Sequence, residues 1–218
     1  MANGTSRSPG DRARAAAVLA ALKQRYPRIG TALDYESPWH LLVATVLSAQ
    51  TTDEQVNRVT PGLFRRWPTA ADLAAAAPEA VEEVVFSTGF YRQKTRAIIA
   101  LSDDLESRFG GEVPADLDAL VTLRGVGRKT ASVVLAEAFG MPAIAVDTHV
   151  KRLSSRLGLT RQSDPGRIES DLKALYPEKD WGGISMRFIQ LGREMCVARG
   201  PRCGECPLRS LCPFPTGG

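Results

Sequence analysis

Residues 123–131 read LRGVGRKTA and lie between an apolar segment (Leu117, Leu120, Val121) and an amphipathic one (Val133, Val134, Leu135, Phe139). Two glycines separated by one residue let the chain reverse between two helices and leave backbone N–H groups uncovered at the start of the second. The same grammar, apolar residues at intervals of three and four punctuated by proline or glycine, continues in both directions. Ile98, Leu101, Leu105 and Phe109 place one apolar stripe on a helix over 92–109 that stops at Gly110-Gly111. Similar spacing predicts helices over about 11–24, 38–49, 53–66, 79–86, 127–139, 148–157, 165–175 and 183–195. Pro38, Pro68, Pro78, Pro114, Pro142, Pro165 and Pro177 fall between or at the starts of these segments, where a missing amide hydrogen costs little. No alternating stretch is long enough for a sheet, and the β-branched runs at Val84-Val85 and Ile144 to Val146 are brief. The expected fold class is all-α. Low complexity is confined to the alanines at 74–77 and to the polar ends.

The 218 residues, 44% hydrophobic and 24% charged, are enough to bury a substantial core, which excludes a disordered tail. No run approaches the roughly 18 apolar residues that would span a bilayer, and the N-terminus reaches charges before it assembles a signal-peptide stretch. The expectation is a cytoplasmic protein without a membrane partner. The net charge of +4 conceals an asymmetry. Residues 1–30 sum to +5, 31–141 to −5 and 142–218 to +4, yet Arg124, Arg128 and Lys129 crowd together within the acidic middle with no acid among them. Basic flanks and one basic turn suit a polyanion, although a pI near 9.0 is equally a solubility balance.

The hydrophobic-Gly-hydrophobic-Gly pattern followed by Arg128 and Lys129 resembles the hairpin of the helix-hairpin-helix motif, which grips phosphates and not base edges. The amides of Gly125, Val126 and Gly127 form the expected phosphate nest. Lys129 stands in the first turn of the following helix. The helix dipole and Arg128 both disfavour a full positive charge there, and a neutral amine is a nucleophile. In AIAVDTHVKRL (143–153) an apolar lead-in delivers Asp147 to another helix start, where it serves as an N-cap or as a carboxylate facing the amine. Cleavage of a glycosidic bond wants such a pair: the carboxylate stabilises the positive charge developing on the sugar while the amine attacks C1′. His149 is a candidate to position the aspartate or to contact phosphate, beside the plainer reading of a packed histidine.

All four cysteines fall at the C-terminal end as Cys196, Cys203, Cys206 and Cys212, spaced C-x6-C-x2-C-x5-C. Thiolates converging from so short a segment can enclose a metal centre, iron–sulfur or zinc, although a zinc ribbon more typically presents two close pairs. Arg199 and Arg202 form a basic loop between the first two cysteines, which either contacts DNA or offsets thiolate charge.

With LRGVGRKTA, VDTHVKRL and the cysteine spacing in this order, extended by LLVATVLSAQTTD (41–53) and STGFYRQKT (87–95), the chain resembles the endonuclease III family of DNA glycosylases from about residue 12 to 214. The resemblance implies a 4Fe-4S cluster on the four cysteines, Lys129 as Schiff-base nucleophile and Asp147 as its catalytic partner. It implies a six-helix domain over 31–141 and a cluster domain made of 1–30 with 142–218. The activity implied is a bifunctional glycosylase and AP lyase acting as a monomer, associated with the nucleoid, on duplex DNA that contains damaged pyrimidines or abasic sites. Gln50 matches the glutamine that enters the stack vacated by the flipped nucleotide. Phe90 matches the wedge residue, commonly leucine, that pushes into the opposite strand; a phenyl ring here departs from the aliphatic choice. Mismatch-specific relatives typically lack the lysine, and a non-catalytic iron–sulfur DNA-binding protein would have no use for Lys129 and Asp147 together.

Overall fold

The computed structural model describes residues 9–214; the polar ends at 1–8 and 215–218 lie outside the described residues. Every regular element among the described residues is helical, so the expected all-α class holds. The chain divides into two compact units, one made of 31–141 and the other of 1–30 with 142–218.

In the unit 31–141 the helices are α2 (Pro38–Leu47), α3 (Asp53–Arg66), α4 (Ala70–Ala74), α5 (Pro78–Val85), α6 (Tyr91–Phe109), the single turn α7 (Leu117–Leu120) and α8 (Arg128–Ala138). Helix α2 is apolar around its whole circumference, Leu41 through Leu47 are all buried, and it packs against α3, α6 and α8. A helix without a polar face belongs at the centre of its unit. The stripe expected on α6 is present: Ile98, Leu101 and Leu105 are fully buried. The helix ends at Gly110, φ 62°, after which the Gly111 amide reaches back to the Leu105 carbonyl at 3.0 Å.

Two helices went unanticipated, α4 and α7. Helix α4 lies in an alanine-rich stretch with no apolar stripe, and is made by a capping box between Thr69 and Asp72 and by packing on α6. Helix α7 is too short to show a period, and starts where Asp116 accepts the Ala119 amide at 2.7 Å.

The other unit holds α1 (Pro9–Arg25), α9 (Thr148–Arg156), α10 (Pro165–Leu175) and α11 (Trp181–Glu194). Ala15, Val18 and Leu22 of α1 enter one core with Val150, Leu153, Ile168, Leu172, Ile184 and Phe188. The N-terminal helix is thereby built into a unit whose remainder starts more than a hundred residues later. The Arg187 guanidinium fixes this closure, donating to the Tyr26 carbonyl at 3.1 Å. After α11 regular structure gives way to two 3₁₀ turns, Cys203–Glu205 and Arg209–Leu211.

Candidate functional site

The hairpin 123–127 is built onto α6. Gly125 has φ +80°, and a Cβ there would lie 3.0 Å from that of Ala97, so both backbone conformation and space require glycine. Leu123 and Val126 point inward and are buried, and the Val126 amide closes the turn on the Leu123 carbonyl at 3.1 Å. Arg124 has its backbone amide on Asp104 Oδ2 at 2.8 Å, its Nε on Asp104 Oδ1 at 2.9 Å and an Nη on Asp103 at 2.7 Å. These bonds hold the Asp104 carboxyl below the usual carboxylate range. The Arg124 side chain is thus engaged by α6, and Arg108 adds a bond to the Thr122 hydroxyl at 2.6 Å.

Helix α8 then starts at Gly127, which supplies no side-chain cap. Its first-turn amides have no intrahelical acceptor and sit at the positive end of the helix dipole. Arg128 and Lys129 occupy that first turn, and both side chains are exposed.

The segment after α2 and the segment before α6 carry the two non-glycine residues with positive φ among the described residues, Gln50 at 55° and Phe90 at 48°. Left-handed backbone costs a side-chain-bearing residue about 1–2 kcal/mol, so each must be held by its surroundings. Both residues are exposed, Phe90 to 63%. Sequence reasoning singled out both residues but not what lies beneath them. Lys94, buried at 5% exposure, donates to the Thr51 hydroxyl at 2.6 Å and to the Thr88 carbonyl at 2.7 Å, and the Thr51 hydroxyl donates to that same carbonyl.

In the other unit Asp147 is the N-cap of α9, accepting the Val150 amide at 2.8 Å, and is half-buried. His149 is packed: a Cβ on Gly192 of α11 would lie 2.6 Å from its Nδ1. An Arg152 Nη lies 3.0 Å from that nitrogen. Burial lowers the His149 pKa, and the neighbouring Arg152 and Arg193 lower it further against the pull of Asp147.

Cys196, Cys203, Cys206 and Cys212 line one cavity together with Arg156, Met195, Arg202 and Phe214. Burial pushes the Cys206 and Cys212 thiols up, and the neighbouring cysteines push the same way, so four thiolates here call for a compensating cationic centre. Four thiols lining one cavity are the soft ligand set that an iron–sulfur cluster takes. Arg156, which the sequence did not single out, donates to Cys196 Sγ at 3.3 Å and to the Val197 and Ala198 carbonyls at 2.8 and 2.9 Å. Arg152 takes the Cys196 carbonyl at 3.0 Å. In VKRLSSR neither arginine differs from a solvated one. Arg202 spans back to the Glu194 carbonyl at 2.6 Å and pairs with Glu205 at 3.6 Å, while Arg199 is exposed at the loop surface.

An all-helical chain with a glycine hairpin opening a helix and a terminal four-cysteine cavity has clear relatives. Residues 43–178 match the HhH-GPD superfamily of base excision DNA repair proteins, and residues 196–212 match the iron–sulfur binding domain of endonuclease III. The chain is 53% identical over 201 residues to the endonuclease III of Synechocystis, covering 92% of each. It is 39% identical over 197 residues to that of Escherichia coli K12, covering 90% of this chain and 93% of the other. Among solved structures, a trapped endonuclease III–DNA covalent intermediate superposes with a TM-score of 0.88 at 42% identity, covering 93% of this chain and 95% of that one. A thermostable thymine-DNA glycosylase, 19% identical, shares the fold at a TM-score of 0.84. The chain belongs to the endonuclease III family, the DNA glycosylase/AP lyases of base excision repair, and its cofactor is an iron–sulfur cluster.

Proposed function

We propose that this chain removes oxidised pyrimidines from duplex DNA with Lys129 as nucleophile and then nicks the strand at the abasic sugar. The observation that carries the reading is the position of Lys129: exposed, in the first turn of α8, directly behind a hairpin anchored on α6 and capped by a bare glycine. The hairpin at Gly125 to Gly127 and the uncapped first-turn amides of α8 take a phosphate, with Arg128 beside them. Arg124, engaged by Asp103 and Asp104, contributes by holding the hairpin in shape. Gln50 and Phe90 enter the stack as the damaged nucleotide turns out, a step that costs a few kcal/mol and least for a base that stacks poorly.

The Lys129 amine attacks C1′ and the glycosidic electron pair leaves with the base, Asp147 stabilising the positive charge on the sugar. Loss of a proton from the attached nitrogen and opening of the C1′–O4′ bond give a protonated imine that acidifies the C2′ hydrogens; removal of one as a proton expels the 3′ phosphate. His149, packed against α11, orients the start of α9. Cys196, Cys203, Cys206 and Cys212 would hold a 4Fe-4S cluster, which supplies a fixed cationic framework when bound; Arg199 and Arg202 stand on the loop it orders and meet the DNA backbone. The protein acts as a monomer in the cytoplasm, at the nucleoid.

Borohydride added during turnover of a thymine-glycol duplex tests the reading. The expected product is a covalent adduct that peptide mass spectrometry maps to Lys129. An adduct on another amine overturns the assignment.

A further inference from the structure

We propose that Lys94 is a positioning residue for entry into the DNA stack: its ammonium bridges the turn that carries Gln50 to the turn that carries Phe90 and presets the two as one unit. The proposal rests on the reading that Gln50 and Phe90 enter the duplex. Helix α6 brings Lys94 up beneath both turns. One donated bond goes to the Thr51 hydroxyl, next in sequence to Gln50; another goes to the Thr88 carbonyl, separated from Phe90 by Gly89. Thr88 is itself fixed, 2% exposed, with its hydroxyl on the Val85 carbonyl at 2.7 Å. Gln55 of α3 adds a parallel tie to Ser87 at 2.7 Å. Gly89 at φ 69° and Phe90 at φ 48° then throw the phenyl ring outward, and Gln50 at φ 55° does the same on the other turn.

The chemistry of the bridge argues against simple packing. A methionine would fill the same channel without the desolvation that depresses the Lys94 pKa. The bridging partners are a hydroxyl and a carbonyl, not a carboxylate, so an ion pair does not account for burying the charge. An ammonium, with three donors on one atom, can serve acceptors on two separate turns at once. Preset side chains enter the stack without first being ordered there, which lowers the cost of association.

The test uses the full-length, cluster-loaded protein as wild type, Lys94→Met, Lys94→Gln, Gln50→Ala and Phe90→Ala. The first readout is fluorescence of 2-aminopurine placed opposite a tetrahydrofuran abasic analogue in a duplex, which rises when that base is unstacked. Lys94→Met is expected to reduce the rise at saturating protein by roughly threefold or more, with Lys94→Gln, which keeps a donor, falling between it and wild type. The second readout separates positioning from general damage. Base release from a thymine-glycol duplex should slow about tenfold, whereas borohydride trapping on a single-stranded abasic oligonucleotide, which has no stack to enter, should stay within about twofold of wild type. Equal loss on the two substrates assigns Lys94 a merely structural role and overturns the proposal. So does a wild-type fluorescence rise in Lys94→Met when Gln50→Ala and Phe90→Ala have lost theirs. If those two alanine variants also keep the full rise, the reading of Gln50 and Phe90 falls, and the proposal with it. Should Lys94→Met fail to fold, the same comparisons are made with Lys94→Gln.

Discussion

The two turns at Gln50 and Phe90 and the segment 196–212 are both irregular backbone that presents candidate functional side chains, and they are held in opposite ways. The turns hang on a finished core: Leu47, Val85 and Ile98 beside them are fully buried, and one lysine and two threonines close the gap between them. The cysteine segment has a single fully buried large apolar anchor, Leu208, with Cys196, Cys206, Leu211 and Cys212 only packed against the margin of their core. Its backbone carbonyls are gathered by Arg152, Arg156 and Arg202. Strained side chains can be held by a hydrogen-bonded core; four mutually repelling thiolates need a cofactor.

That contrast predicts the largest effect for Cys203→Ala. Iron content should fall from about four atoms per chain towards zero, with loss of the broad absorption near roughly 400 nm. Limited proteolysis should then cut within 196–212 while 31–141, with its own core, stays protected. Equal loss of protection in both units would break the comparison.

Gly125→Ala comes next. It combines a left-handed backbone with a 3.0 Å approach to Ala97, so a loss of about 1–3 kcal/mol is expected in thermal or urea unfolding, with weaker binding to undamaged duplex. Asp104→Asn should have a smaller effect, with a diagnostic pH dependence. Its carboxyl is held low in the folded protein, so its contribution is present above the unfolded value of about 4 and is lost as pH falls through the lower folded value. Wild type and variant should therefore differ at neutral pH and converge in acid. A gap that widens on acidification would contradict the Arg124 clamp.

The same contrast explains what could be read from the sequence. The stripe Ile98, Leu101, Leu105 on α6 and the unbroken apolar run of α2 are local patterns, and helices follow from them. Thr69 and Asp72 did advertise the start of α4, but its alanines carry no period. The cysteine spacing named a metal centre because ligand geometry is written into sequence distance. Lys94 and Arg156 gave no such sign. In RQKTR and LSSR they look like solvated charges, and their roles arise from acceptors 43 and 40 residues away in the chain. Likewise the positive φ of Gln50 and Phe90 is imposed by the turns, since neither residue type favours it.

The smallest expected change lies in the electrostatics of binding. Arg128→Ala and Arg199→Ala should each flatten the log-log salt dependence of affinity for undamaged duplex by about one unit, measured by fluorescence anisotropy.

The division of labour between Lys129 and Asp147 is tested most directly by comparing their variants on two substrates, a thymine-glycol duplex and the same duplex already lacking the base. Lys129→Ala should lose borohydride trapping and nicking on both, with fold and DNA affinity nearly intact, because an exposed first-turn lysine contributes little to packing. Asp147→Asn keeps the cap on the Val150 amide but removes the charge proposed to steady the sugar cation. It should therefore slow base release by orders of magnitude while retaining much more activity on the abasic duplex, where no glycosidic bond remains to break. Full trapping by Lys129→Ala, or equal loss by Asp147→Asn on the two substrates, would contradict the account.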